Sequence, residues 1–283
     1  MHETNYPTGK RVRQCLARMF SQAIDSGYLG EPKPQNPFTW ESMKHVLPKQ
    51  KHVHETTPRP AVPFEEIREF MQMLRAYRPL KGRPRLDGIQ HRAERPVSAL
   101  WLEFVVLSGV RIGEAGQATW SEMEGLDGPK PIWRVPAEHH KLGRGDHIIP
   151  ITKPMLDVLV EMYRRNGAEE SKLVFSGPNS GPKNPMSRVN MQALLRRLKW
   201  KEHITAHGFR STFTGWAVKE QWQYELISRQ CGRIPHGEVF ERYFREPMVE
   251  ERRAMMEAWG RYCSLPPAEA GQVLPMHRRK TAT

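Results

Sequence analysis

The stretch from residue 204 to residue 245 constrains the chain most, because it combines helical periodicity with the residue types of a phosphate site. His207 and Arg210 stand three positions apart, a spacing that puts both side chains on one face of a helix. Arg210 offers a planar guanidinium that grips two phosphate oxygens, and His207 can exchange a proton near neutral pH. Tyr243 follows among arginines and phenylalanines. The stretch predicts a site for an anionic ligand, although a His-x-x-Arg pair alone is common on surface helices.

The net charge indicates a polyanionic partner. The chain has 44 Lys and Arg residues against 31 Asp and Glu, giving a charge of +13 and a pI near 9.9, and nucleic acid is the default partner of such a protein. An acidic protein or an anionic membrane would also satisfy the charge, but no basic amphipathic helix with an apolar anchor stands out. The best apolar run, Val97 to Val110, is too short for a membrane span and contains Glu103. We expect a nucleic acid as the partner, and no membrane.

Cysteine and histidine usage predicts no metal and no cofactor. The three cysteines, Cys15, Cys231 and Cys263, are isolated, as expected of reduced thiols in a cytoplasm. None has metal-ligand spacing with histidine, and no His-Glu-x-x-His pattern occurs among the 12 histidines. The N-terminal residues form no apolar secretion signal. We therefore expect a cytoplasmic protein.

Proline content predicts a domain boundary near residue 58. Residues 9 to 27 have the apolar periodicity of an amphipathic helix that ends at Gly27. Residues 28 to 63 are rich in Pro, Lys and His and predict a linker with one short helix near residues 40 to 46. The opposite face of the first helix is basic, and it is either a solvated face or a face along DNA. Its basic residues are Lys10, Arg11, Arg13 and Arg18.

Residues 59 to 265 are predicted to form a mainly α domain with a small antiparallel β-sheet, an α+β fold. Ser108 and Gly109 break a buried helix, so Arg111 begins the next one, with Glu114 three residues on and able to orient its guanidinium. Two short β-type runs, residues 132–136 and 147–151, flank a turn that carries Lys141. Further predicted elements are helices near residues 64–77, 153–165, 191–198 and 247–262, a strand at 173–175, exposed loops at 81–96 and 176–185, and a disordered basic tail at 266–283.

These candidates, taken in chain order, resemble the catalytic domain of the tyrosine recombinases, the phage integrase family. The resemblance covers roughly residues 60 to 265, and the last helix is similar to that of prophage-type integrases. Four motifs in the same order carry it: Leu107–Glu114 with Ala118–Trp120, His140–Arg144 leading to Ile149–Ile151, His207–Phe213, and Val239–Tyr243. Residues 9 to 57 resemble the end of the DNA core-binding domain of this family.

The resemblance implies site-specific recombination by strand cleavage and rejoining, in a mobile element or prophage. Tyr243 would attack a DNA phosphodiester and form a 3′-phosphotyrosyl link, which retains the bond energy for rejoining. Arg111 and Arg210 would hold the two non-bridging oxygens and stabilise the developing charge. The remaining roles would fall to His207 as the base that assists Tyr243, Lys141 as the general acid for the departing 5′-oxygen, Glu114 as the group that orients the arginines, and Arg144 as a DNA contact.

Three features depart from the family pattern. Arg233 stands ten residues before Tyr243, where the family often has His or Trp, and arginine donates to phosphate but transfers no proton. His236, seven residues before Tyr243, is the candidate for that role. The N-terminal arm-binding domain and the start of the core-binding domain have no counterpart, and Lys81 to Pro96 resembles an insertion of unknown role.

The resemblance implies a recombinase, nucleoid-associated in a bacterium, that acts as a homotetramer on two DNA duplexes. Two alternatives follow from these departures and from shared chemistry. The first is a truncated, DNA-binding integrase remnant with impaired catalysis, for which Arg233 and the short N-terminus argue. The second is an enzyme like the type IB topoisomerases, which use the same tyrosine chemistry. The last helix, similar to that of prophage-type integrases, favours the recombinase.

Overall fold

The computed structural model describes residues 6–46, 60–79, 94–139, 146–167, 169, 172–176, 184–200, 204–233 and 248–267. The chain divides into two compact units, Met1–Pro58 and Arg59–Thr283. None of the helices in the described ranges has the length and apolar content needed to cross a membrane.

The first unit is built on the predicted amphipathic helix. Helix α1 spans Tyr6–Asp25, and the short helix α2 spans Trp40–Met43. Asn36 fastens the intervening loop to α1 by donating to the carbonyl oxygen of Ala17 at 2.7 Å. Arg13 donates to the carbonyl oxygen of Phe38 at 2.8 Å, so this member of the predicted basic face serves the unit's own packing. Three apolar residues of α1 remain exposed: Val12, Leu16 and Met19.

The second unit is mainly helical with one small sheet, as predicted. Its helices are α3 (Ile67–Ala76), α4 (Val97–Ser108), α5 (Ile112–Gln117), α6 (Lys153–Asn166), α7 (Arg188–Leu198), α8 (Gly208–Lys219), α9 (Tyr224–Gln230) and α10 (Val249–Ser264). Short 3₁₀ turns at Phe64–Glu66 and Trp120–Glu122 precede α3 and the sheet. The strands are β1 (Met123–Glu124), β2 (Ile132–Val135) and β3 (His147–Pro150), and they pair antiparallel in the order β1-β2-β3 with Trp133 opposite Ile149.

Helix α4 forms the centre of the core. All of its residues from Ala99 to Ser108 are buried, as expected of a helix that is apolar on every face. It packs against α3, α5, α6, α7, α8 and α10. Gly109 then adopts the left-handed conformation at φ 67°, which ends α4 and lets the chain turn into α5. The predicted break and restart at this point are confirmed.

Aromatic packing joins α8 to α10. The ring of Trp259 lies 5.0 Å from that of Trp216 and 5.6 Å from that of Phe213, centroid to centroid. Trp259 Nε1 also donates to the carbonyl oxygen of Val106 in α4 at 2.9 Å. Each fully buried side chain of this size contributes about 1.5–3 kcal/mol. The cluster therefore fixes α8, which carries Arg210, against the centre of the core.

Two local predictions are wrong. Residues 173–175 form no strand but an isolated bridge between Leu173 and Thr119, and their apolar character reflects burial. Arg95, near the end of the segment predicted to be an exposed loop, is half-buried and forms ion pairs with Glu103 and, at 3.2 Å, with Glu161. A carboxylate inside a buried helix requires a positively charged partner. Glu103 is such a carboxylate, and Arg95 pairs with it. Residues 80–93 of that predicted loop lie outside the described residues.

Gly208, the first residue of α8, touches the backbone of residues 60 and 61. A Cβ at this position would lie 2.2 Å from the carbonyl oxygen of Pro60 and 2.9 Å from Ala61 Cα. Backbone atoms cannot rotate away as a side chain does, and overpacking of this kind costs about 1–3 kcal/mol. We expect Gly208→Ala to lower the free energy of unfolding, measured in urea, by that amount.

Gly215 in the same helix is the matched control for this prediction. Its Cβ would meet only Phe64 Cδ1, at an ordinary contact distance of 3.6 Å, and alanine is favoured over glycine inside a helix by roughly 1 kcal/mol. Gly215→Ala is therefore expected to keep or raise the stability. Equal losses in the two variants would contradict the proposed role of the Gly208 contact.

Candidate active site

Arg111 is positioned by the start of α5. It directly precedes the first residue of that helix, in extended conformation. Its Nη1 donates to Glu114 Oε1 at 2.6 Å, and its backbone N–H donates to Glu114 Oε2 at 3.1 Å. The Glu114 side chain is only 3% exposed, against 21% for that of Arg111. The buried carboxylate thus fixes the orientation of Arg111 and leaves part of its side chain exposed to solvent.

Arg210 reaches the same place from α8. Its side chain is buried, and Nη2 donates to the carbonyl oxygen of Cys231. Arg111 Nη2 donates to the next carbonyl oxygen, that of Gly232, at 2.9 Å. Arg111 and Arg210 are 99 positions apart in the sequence. Each binds one of two consecutive carbonyl oxygens at the end of α9. The end of α9 sets their mutual spacing.

The electrostatics of the cluster favour an incoming anion. Burial lowers the pKa of the Arg210 guanidinium; Cys231 and Glu114 raise it, and the positive charges of Arg111 and Arg233 lower it. Desolvation and two neighbouring cations thus make the charged form of Arg210 costly in the protein alone. A bound anion would relieve both effects.

Two nitrogen atoms of the Arg210 guanidinium have no partner in the described part of the chain. These atoms are Nε and Nη1, and both are buried. Buried donors of proteins are nearly always satisfied, so each exception calls for an explanation. Each of these donors can bind an oxygen of a phosphate group.

Two further predicted residues lie beside this pair. His207 is half-buried and directly precedes α8 rather than lying within it, and its carbonyl oxygen accepts from Arg210 N at 3.3 Å. Arg233 follows α9 with an exposed side chain, and its backbone N–H donates to the carbonyl oxygen of Ser228 at 2.8 Å. The structure thus brings Arg111, Glu114, Arg210 and Arg233 together around the end of α9, with His207 adjacent. The predicted residues Lys141, Arg144, His236 and Tyr243 lie outside the described residues.

Sequence reasoning missed the parts of this site that are backbone or hidden. The carbonyls of Cys231 and Gly232 carry no residue-type signal, because any residue offers the same acceptor. Gln230 and Arg252 are buried polar residues next to the site. The only sequence signal for such residues was a polar side chain at a helical position that the apolar spacing predicts to be buried. That spacing does not identify the hydrogen-bond partner. In the described part of the chain, no group of three or more His, Cys, Asp or Glu residues could hold a metal ion.

The fold and the arginine cluster define the class of protein, which is that of the tyrosine recombinase catalytic domains. The structure resembles the Tn1549 transposon integrase, solved with transposon right end DNA, with a TM-score of 0.51, 15% identity, and 89% of this chain and 79% of that chain covered. It also resembles lambda integrase, solved as a tetramer bound to a Holliday junction, with a TM-score of 0.51, 15% identity, and 81% and 59% covered. Residues 64–248 match the model of the phage integrase family, and the chain belongs to this family.

Curated relatives come from Escherichia coli strain K12. The prophage integrase IntA is 28% identical over 176 residues, which cover 62% of this chain and 40% of that protein. The prophage integrase IntZ is 27% identical over 158 residues, which cover 55% and 37%. The chain thus spans about two fifths of the length of these relatives.

Proposed function

We propose that this protein carries out site-specific DNA recombination by cleaving and rejoining strands through a 3′-phosphotyrosyl intermediate, with Tyr243 as the nucleophile. One observation carries the proposal: Arg111 and Arg210 lie side by side on consecutive carbonyls, and Arg210 Nε and Nη1 are buried without a partner among the described residues. Membership of the phage integrase family supports the same chemistry.

The reaction is a phosphoryl transfer without a net change in the number of phosphoester bonds. The Tyr243 hydroxyl oxygen forms a bond to phosphorus, the bond to the 5′-oxygen breaks, and the departing strand takes up a proton. The free 5′-hydroxyl of a second strand later reverses these steps. Because the bond energy is kept in the tyrosyl ester, rejoining needs no external energy source.

The arginine pair would stabilise the transition state. The non-bridging oxygens gain charge as phosphorus becomes five-coordinate, and fixed donors in a desolvated site act most strongly at that moment. Arg210 would contribute its Nε and Nη1 donors, and Arg111 the exposed part of its guanidinium. Glu114 would keep the Arg111 fork in orientation through its 2.6 Å contact.

Proton transfer is assigned to residues around this pair. His207 would assist deprotonation of Tyr243, and Lys141 would protonate the departing 5′-oxygen. Arg233 would add a phosphate donor but no proton transfer, because its guanidinium stays protonated. His236 is the candidate for the proton role that Arg233 does not fill.

Double-stranded DNA is the proposed partner, and a homotetramer on two duplexes the proposed assembly. The charge of +13 supports DNA binding. The solved relatives are a transposon integrase bound to DNA and a lambda integrase tetramer on a Holliday junction. Residues 1–58 would form part of a DNA core-binding segment, with Lys10, Arg11 and Arg18 on the phosphate backbone and Arg13 retained for packing against Phe38. Arg144 would contact DNA from the other unit.

The decisive experiment uses nicked suicide duplexes tiled across the DNA on both sides of the gene. Cleavage next to the nick releases a short strand that carries the free 5′-hydroxyl, and its loss prevents rejoining. An active protein therefore gives a covalent protein–DNA adduct that survives SDS. Mass spectrometry of the DNA-linked peptide should place the link at Tyr243. Duplex binding without adduct on any substrate would contradict the proposal, and so would relaxation of supercoils without exchange between two sites.

A further inference from the structure

A chain of buried hydrogen bonds lies behind the arginine pair. Gln230 Nε2 donates to the carbonyl oxygen of Ser108 at 2.8 Å. Gln230 Oε1 accepts from Arg252 Nη1 at 3.2 Å, and Arg252 Nη2 donates to the carbonyl oxygen of Ile148 at 2.7 Å. Gln230 and Arg252 are 0% and 1% exposed. These three bonds are called the Gln230–Arg252 chain below.

The Gln230–Arg252 chain connects four elements around the candidate site. Ser108 stands three residues before Arg111, and Gln230 directly precedes the two carbonyls that bind Arg111 and Arg210. Ile148 belongs to β3, one of the two strands of the predicted hairpin. Arg252 lies in α10, the first described element after Tyr243. One pair of side chains therefore connects α4, the end of α9, β3 and α10.

Arg252 occupies its position at a cost in free energy. Burial lowers the pKa of its guanidinium to about 10, with a further contribution from the charge of Arg229 and an opposing one from Glu251. An apolar side chain would fill the same volume without desolvating a charge, and such replacements are often neutral or stabilising. Packing alone does not account for an arginine here, whereas its two directed bonds do.

We infer that Gln230 and Arg252 are positioning residues for strand cleavage. They hold the end of α9 in place, so that the carbonyls of Cys231 and Gly232 set the orientation of Arg111 and Arg210 toward the phosphate. This inference rests on the proposed function. It assigns no contact with DNA to either residue.

The test compares Arg252→Met with a matched control, Arg253→Met. Arg253 is a buried neighbour in the same helix, and its Nη1 donates to the carbonyl oxygens of Pro131 and Ile151 at 3.0 and 3.2 Å. Those acceptors flank β2 and β3 at the end away from the predicted hairpin turn. Both variants remove a buried guanidinium from α10, but only Arg252→Met breaks the bond to Gln230.

The expected result is a loss of rate in one variant alone. A misplacement of about 1 Å in catalytic groups costs roughly a hundredfold, so single-turnover adduct formation at saturating duplex should fall roughly tenfold to a hundredfold in Arg252→Met. It should change less than about twofold in Arg253→Met, because the site is untouched. Duplex affinity should stay within about threefold in both, since most of it comes from other phosphate contacts. Arg252→Lys, which can reach one acceptor but not both, should recover part of the rate.

Gln230→Met provides a second route that avoids removing the charge. It keeps the volume but breaks both bonds of Gln230, and the Gln230→Met/Arg252→Met double variant should react no more slowly than the slower single variant. Fully additive losses would overturn the inference. So would parent rates in either single variant, or equal losses in Arg252→Met and Arg253→Met at equal folded fraction.

Hydrogen exchange separates this inference from the proposed function. The backbone amides of residues 231–233 donate to the carbonyl oxygens of Ile227, Arg229 and Ser228 at 2.8–3.0 Å. These amides should exchange faster in Arg252→Met than in Arg253→Met, because the helix end loses its anchor. If the parent protein forms no adduct, the proposed function fails, while this readout still decides whether the Gln230–Arg252 chain anchors the end of α9. Unchanged exchange at residues 231–233 in Arg252→Met would overturn it.

Discussion

A Tyr243→Phe protein is expected to form no detectable covalent adduct with the suicide duplex while it binds the same duplex with unchanged affinity. Phenylalanine lacks the one oxygen that would attack phosphorus, and loss of a catalytic nucleophile costs on the order of a millionfold when nothing replaces it. The change removes a single oxygen atom, so the fold and the phosphate contacts should persist. The measurement is SDS gel separation of labelled DNA, paired with a binding titration.

Tyr224→Phe is the control for this result. Tyr224 begins α9 and is 68% exposed, so the loss of its hydroxyl removes a surface phenol with little effect on packing. Adduct formation should proceed at the parent rate. A residual adduct in Tyr243→Phe, or a DNA-linked peptide that maps to a different tyrosine, would mean that Tyr243 is not the nucleophile.

Local signals predicted those parts of the fold that short segments decide. Gly109 ends α4 because glycine tolerates φ 67°, and the three-residue spacing predicted that Glu114 would meet Arg111. The two longer strands were also predicted from short β-type runs. In each case the signal lies within a few consecutive residues, where sequence periodicity is informative.

Other features depend on distant partners, and the sequence alone did not indicate them. Strand β1 has two residues and exists only because β2 offers it a ladder. The end of α9 matters because its carbonyls meet side chains from α5 and α8, a property of backbone position. Arg252 lies in the predicted last helix, but its acceptors, Gln230 and Ile148, lie 22 and 104 residues away. Spacing along one helix cannot identify such acceptors.

The site combines two opposite demands on its arginines. A guanidinium that is desolvated and beside other cations binds an anion strongly, but it also destabilises the protein while no anion is bound. Glu114 and the carbonyls of Cys231 and Gly232 offset part of this cost. The same groups restrict the guanidiniums to one orientation. Stability and readiness for the reaction are therefore set by the same contacts.

Replacing Arg210 by Ala is expected to abolish adduct formation while it leaves most duplex binding intact. Loss of one donor to a developing oxyanion costs about a hundredfold to a thousandfold. Arg210 Nε and Nη1 both lack a partner among the described residues, so the rate should fall by roughly a thousandfold or more. Affinity comes from many phosphate contacts, so the loss of one contact should weaken binding by roughly tenfold at most. Single-turnover rates and a binding titration measure the two effects separately.

Arg210→Met distinguishes the role of the charge from that of the volume. Burial lowers the pKa of Arg210. A basic group whose pKa is lower in the folded than in the unfolded protein destabilises the fold at every pH below its folded-state pKa, which includes neutral pH. Removing the charge while filling the space should therefore not lower the melting temperature, although the bond to Cys231 is lost. Arg68→Met is the control for the removal of a guanidinium. The Arg68 guanidinium lies 4.2 Å from the centre of the Tyr262 ring, so its removal should leave the rate of adduct formation unchanged. A variant at position 210 that reacts at the parent rate would remove Arg210 from the phosphate site.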